Sequence, residues 1–185
     1  MRLLQCNINV NRGAQDLLNQ HLMELRIGLC AVSKPAYIPD LPDWYSSVDR
    51  RSAIVFCSGG SRSYCRLAVR KDKFVAVMMG DIAVVSCYMS PNTTRDEFIA
   101  FLSELKDAVR ALGDRVLVCG DFNAKSAMWG ARLTDRRGHL VEDWAAELEL
   151  RIQNVGRVPT CVRPQGTSII DLTWATPSLT SRVRD

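Results

Sequence analysis

The sequence predicts an α/β fold in which two mixed β-sheets pack face to face and carry helices on their outer sides. Three observations lead there: a strand, helix, strand rhythm near the amino end, a crowd of β-rich segments in the middle, and a long amphipathic helix set between apolar strands. The middle segments outnumber what one sheet comfortably holds, hence two sheets. At 185 residues, 47% hydrophobic and 24% charged, the chain has the composition of a globular protein, and residues 1–185 are expected to form a single domain. A disordered tail, a collagenous repeat and a coiled coil are excluded. No run of about 18 apolar residues exists to span a membrane. The first ten residues carry too many polar side chains for a signal peptide.

Residues 2–8 read as a short buried strand, and 14–26 as a helix with Leu17, Leu18, His21, Leu22 and Leu25 on one face. Residues 28–33 form a second strand, and Pro35, Pro39 and Pro42 mark a loop. Strands are expected at 44–49, 53–57, 64–70, 74–79 and 82–88, with turns at Gly59-Gly60 and Gly80-Asp81, which together predict an antiparallel meander. Thr94-x-x-Glu97 is a capping box, and it introduces a stripe of Phe98, Phe101, Leu102, Leu105, Val109 and Leu112 before Gly113 ends the helix. A strand at 115–119, a helix at 139–148 with Leu140, Trp144 and Leu148 inward, and a strand at 168–175 complete the chain.

Lysine and arginine number 24 against 20 acids, a net charge of +4 that favours a polyanionic partner only weakly. Seven cysteines lie mostly within apolar runs with no Cys-x-x-Cys pair, the pattern of reduced, buried thiols rather than zinc ligands or disulfides.

Chemistry concentrates at strand ends. Val116-Leu-Val-Cys-Gly-Asp121-Phe-Asn123 delivers a carboxylate and an amide at the carboxyl end of a buried strand, and if the backbone stays extended their i, i+2 spacing aims both to one side. Gly, Asp and Asn are also ordinary turn formers, so this segment alone does not define a site. Asn7-Ile-Asn9, Tyr88-Met-Ser-Pro-Asn92 and Asp171 share the character, and an aspartate between Ile170 and Leu172 is costly unless paired or functional. The set suits phosphodiester hydrolysis: a carboxylate activates water or holds a hard cation, while amides and a phenol donate to phosphate oxygens. With only His21 and His139 present, no serine, histidine and acid arrangement competes; His21 reads as packed on its helix and His139 as a surface residue at a helix start. Arg132, Arg136 and Arg137 follow Trp129 in one loop, where guanidinium groups and an indole could grip a nucleic-acid backbone and an unstacked base, although a solvated charged loop has the same composition.

These motifs resemble, in order along the chain, the endonuclease/exonuclease/phosphatase superfamily. More narrowly, Leu-Gln-Cys-Asn7-Ile-Asn, Tyr88-Met-Ser-Pro-Asn, Gly-Asp121-Phe-Asn123-Ala-Lys-Ser-Ala-Met-Trp-Gly, Asp135-Arg-Arg-Gly and Ser-Ile-Ile-Asp171 resemble the apurinic-endonuclease-like domain of non-LTR retrotransposons that insert at fixed targets. The resemblance implies a four-layered α/β sandwich and nicking of double-stranded target DNA with Mg2+ or Mn2+. The nick leaves a 3′ hydroxyl that primes the reverse transcriptase domain of the same polyprotein, in the nucleus and with no membrane involved. It gives Asp121 the attacking water, Asn123 a phosphate oxygen, Asn7 the metal or Asp121, Tyr88 the scissile phosphate and Asp171 a histidine partner. Asn92, Trp129, Arg132, Arg136, Arg137 and Thr160 become candidate DNA contacts.

Two departures stand out. Lys34 occupies the position where the resemblance implies the glutamate that is the main metal ligand, and an ammonium has three donors and no acceptor. Metal binding and nicking are therefore expected to be weak. No Ser-Asp-His segment follows Asp171 within the sequence. A non-catalytic DNA-docking module of the same fold is the competing expectation. A phosphatase acting on a lipid or sugar is a third, disfavoured by the Trp129 and arginine loop.

Overall fold

The computed structural model describes residues 1–57, 64–155, 158–164 and 166–183. The Gly59-Gly60 turn lies outside the described residues. The chain divides into two compact units, Met1–Tyr88 and Met89–Asp185.

The first unit begins with β1 (Leu3–Asn7), α1 (Arg12–Glu24) and β2 (Leu29–Ser33), followed by β3 (Trp44–Ser46) and β4 (Ser52–Phe56). β1 pairs parallel to β2, while β4 pairs antiparallel to both β2 and β3, giving a mixed sheet in the order β1, β2, β4, β3. β5 (Cys65–Arg70), β6 (Phe74–Met79) and β7 (Ile82–Tyr88) form an antiparallel meander. The expected meander is thus confined to its last three strands, because β4 pairs with β2 and carries β3 on its other side. β2 and β4 are covered on both faces: Cys30, Val32, Ala53 and Val55 pack with Leu18 and Leu22 of α1, while the meander strands β6 and β7 pack on the other side. Burial on both faces is why these strands read as continuous apolar runs rather than alternating ones.

The apolar face expected of α1 is corrected. Leu17 and Leu25 are exposed by 57% and 48%, His21 is exposed, and the buried positions are Gln15, Leu18 and Leu22. Gln15 is fully buried because its amide replaces missing backbone partners: Nε2 donates to the Tyr37 carbonyl at 2.9 Å, and Oε1 accepts from Ala36 N at 2.7 Å. One polar side chain thereby fastens the proline-rich loop to α1.

The second unit contains α2 (Arg95–Leu112), β8 (Val116–Asp121), a single 3-10 turn (Ala127–Trp129), α3 (Arg136–Glu147) and β9 (Arg151–Ile152). β10 (Cys161–Arg163), β11 (Gly166–Ser168), β12 (Asp171–Ala175) and the short α4 (Pro177–Thr180) follow. β12 runs antiparallel between β8 and β9, and β10 and β11 make a hairpin. The Thr94 and Glu97 capping box is present on α2, with Gly113 at its end. α3 starts three residues before its expected position because Asp135 caps it, accepting from Gly138 N at 2.7 Å. Its buried face is Gly138, Val141, Trp144 and Ala145, not Leu140 and Leu148. The expected strand at 168–175 is broken at Ile169 and Ile170. The core is an aromatic chain, Phe98, Phe101, Phe122, Trp144, Trp174 and Trp129, whose successive centroids lie 5.9–6.3 Å apart in tilted or edge-on contacts. Each such pair adds about 1 kcal/mol beyond its area burial.

The two units hold mixed and antiparallel sheets flanked by helices, the α/β class expected. The seven cysteines are thiols, with Cys30, Cys87 and Cys119 buried, and burial pushes Cys119 up to about 12. None of the described helices is long and apolar enough to cross a membrane.

Candidate active site

In the first unit, parallel pairing places the carboxyl ends of β1 and β2 side by side, with Asn7 opposite Ser33. The chain then turns sharply at Asn9 (φ 51°), Val10 (φ 61°) and Lys34 (φ 51°), left-handed conformations that non-glycine residues adopt rarely and mostly where surroundings impose them. Lys34 is fixed from both sides, its N–H donating to Arg51 O at 2.7 Å and its carbonyl accepting from Val10 N at 2.9 Å. Its Nζ donates to Asn9 Oδ1 and lies 5.9 Å from the centroid of the Tyr88 ring. Asn7 is exposed, with Oδ1 accepting from Asn9 N at 2.9 Å, and Tyr88 is 5% exposed at the end of β7. Asn7, Lys34 and Tyr88 therefore share one edge of this unit.

In the second unit, Asp121 is 2% exposed at the end of β8. Its Oδ1 accepts from Asn123 N at 3.0 Å, and Asn123 Nδ2 donates to Met89 O at 3.0 Å. The expected extended geometry is corrected: Asn123 has φ 46°, so the backbone folds over the carboxylate as an Asx-type turn. The register of β8 and β12 sets Asp171 directly opposite Asp121, which puts both side chains on one face of the sheet. Thr160 braces that strand, its hydroxyl oxygen accepting from Ile170 N at 3.1 Å and Asp171 N at 3.2 Å. Asn154, which the sequence did not single out, clips the same strand by donating to Asp171 O at 3.0 Å and accepting from Thr173 N at 2.9 Å. It lies in a segment with no periodic signal.

Asp171 Oδ1 is buried without a hydrogen-bond partner among the described residues, and burial pushes the carboxyl above its ordinary 3.8, with the Thr160 bond opposing. A raised folded-state pKa means that the folded chain prefers the protonated acid. The stability this confers is fully present below pH 3.8 and is lost as pH rises through the raised value. Asp171→Asn, neutral and of the same shape, is expected to melt at a higher temperature than the parent at pH 7, with the difference vanishing at the acid end of a pH series.

Two expected DNA contacts are corrected. Trp129 is 4% exposed, edge-on to Trp174 at 5.9 Å with Nε1 donating to Ala124 O, so its ring is core and cannot stack on a base. Arg137 is half-buried. Its guanidinium donates to Ser90 O and Thr93 O at 2.8 Å each and to Thr93 Oγ1 at 2.6 Å, lies 4.6 Å from the Phe98 ring centroid, and is held below its usual pKa by burial. These contacts fasten the segment before α2 and leave Arg137 a brace. Arg132, Arg136 and Asn92 are exposed, as is His139, which pairs with Glu142 at 3.3 Å.

The chain belongs to the endonuclease-reverse transcriptase family, whose model matches residues 82–185, more than half of its length. It is 38% identical over 64 residues to a probable RNA-directed DNA polymerase from transposon BS of Drosophila melanogaster, a stretch covering 35% of this chain but 6% of that protein. Among solved structures it is similar to the endonuclease domain of TRAS1, a telomere-specific non-LTR retrotransposon, at 24% identity and TM-score 0.86 over 97% of this chain and 87% of that one. An AP endonuclease from Archaeoglobus fulgidus matches at 16% identity and TM-score 0.71 over 98% and 89% of the two chains. The fold is that of these endonucleases.

Proposed function

We propose that this chain is the endonuclease domain of a non-LTR retrotransposon polyprotein. Acting as one domain in the nucleus, it nicks double-stranded target DNA and leaves a 3′ hydroxyl for the polyprotein's own reverse transcriptase. The observation that carries this reading is the buried Asp121 at the end of β8, capped by Asn123 and facing Asp171 across the ladder, within a chain of the endonuclease-reverse transcriptase family. In this reading Asp121 orients and deprotonates the attacking water, Asn123 holds a phosphate oxygen, and Arg132 and Arg136 contact the backbone.

The side chains do not fit the magnesium or manganese ion that the resemblance implies. Lys34 brings an ammonium, which has donors and no acceptor, where the resemblance implies a ligand oxygen. Nicking by this sequence is therefore expected to be slow. The placement of Lys34 specifically favours a second reading, a DNA-docking module without catalysis.

Nicking of supercoiled plasmid by the parent and by Asp121→Asn, each paired with a binding titration on the same DNA, separates the two. The endonuclease reading expects Asp121→Asn to nick about 10²- to 10⁴-fold more slowly while still binding. Equal nicking by both proteins would remove Asp121 from the chemistry. Binding with no nicking by the parent establishes the docking module.

A further inference from the structure

We propose that the Lys34 ammonium is a built-in cation that holds a phosphate oxygen of a DNA backbone, so that DNA binding by this chain needs no divalent metal. The inference rests on the endonuclease-domain reading and adds the ligand chemistry of one edge of the first unit. Lys34 is not a loose surface lysine. Its left-handed backbone is clamped by Arg51 O and Val10 N, and its Nζ is steered by Asn9 Oδ1 and the face of Tyr88. No carboxylate among the described residues pairs with it. Lys73 shows the contrast, held at 3.0 Å by both Asp49 and Asp72.

Both amide oxygens at this edge are turned onto N–H donors: Asn7 Oδ1 onto Asn9 N, and Asn9 Oδ1 onto Lys34 Nζ. What the edge presents is then the Lys34 ammonium, which keeps two N–H donors beyond the one given to Asn9. Such a group complements an oxyanion and repels a metal cation. A phosphodiester is the oxyanion that a chain of this family meets, and a lysine point charge is a common way to hold one.

The test is fluorescence anisotropy of a labelled DNA duplex titrated with the full chain, in EDTA and in magnesium, over a series of salt concentrations. The parent is expected to bind equally in both. Lys34→Met should weaken binding about tenfold and reduce the salt slope by about one, while Lys34→Arg, which keeps the charge, should retain both. Magnesium-dependent binding by the parent, or an unchanged affinity and slope in Lys34→Met, overturns the proposal and leaves the endonuclease reading intact. If Lys34→Met fails to fold, the EDTA comparison on the parent and the Lys34→Arg slope still decide. Absence of duplex binding by the parent in either buffer sinks the endonuclease reading as well.

Discussion

Gly138→Ala is expected to destabilise the second unit by about 3 kcal/mol or more, read as a fall in the urea midpoint of unfolding. A Cβ at Gly138 would sit 2.0 Å from the carbonyl oxygen of Lys125 and 2.9 Å from its carbonyl carbon and from Thr134 Cγ2. The nearest obstacle is main chain and cannot rotate away. Nor can the Lys125 carbonyl retreat, because it accepts from Asp135 N at 2.9 Å, the residue that caps α3. Relief of the overlap therefore costs either the cap or the seating of α3, and the aromatic chain through Trp144 moves with it. Gly113→Ala isolates conformational strain from crowding, since its φ is 103° with nothing within 4 Å. Its backbone, at ψ −155°, lies in a region essentially reserved for glycine, and the cost should be about 1–3 kcal/mol. Equal losses at the two glycines would show that the Lys125 contact does not constrain α3.

Lys34→Glu is expected to raise magnesium-dependent nicking of supercoiled plasmid by about a hundredfold or more. The substitution removes three donors and installs two acceptor oxygens at the edge shared with Asn7 and Tyr88, where a hard cation could then bind. The Asn9 amide loses its ammonium partner and can reorient. EDTA should abolish the gain. An inert Lys34→Glu protein, or a parent that already nicks rapidly, would show that position 34 does not have the assigned role.

Much of the fold was legible because local chemistry and tertiary packing agree. β6 and β7 lie at the expected residues, and α2 runs from its Thr94 cap to Gly113, where the capping box and apolar stripe leave little competition. Legibility failed where a polar residue takes a buried post or an apolar one sits in a polar loop. Gln15 takes its buried position on α1 through bonds to a loop more than 20 residues away, which periodicity cannot register. Trp129 and Arg137 looked like surface groups because their neighbours are charged. A 3-10 turn drives Trp129 into the core, and Arg137 reaches back to Ser90 and Thr93. The strand-end residues were readable as residues, but the Asx turn at Asn123 and the clamp around Lys34 depend on backbone dihedrals that composition does not encode.

The aromatic chain has a spectroscopic corollary. Three of the four tryptophans, at 129, 144 and 174, belong to it, whereas Trp44 stands apart, half-buried on β3. Edge-on indoles held about 6 Å apart in a rigid interior couple their electronic transitions, so near-ultraviolet circular dichroism is dominated by residues 89–185. A solute quencher reaches the half-buried Trp44 more readily than the three buried indoles, so the quenchable part of the emission reports on residues 1–88.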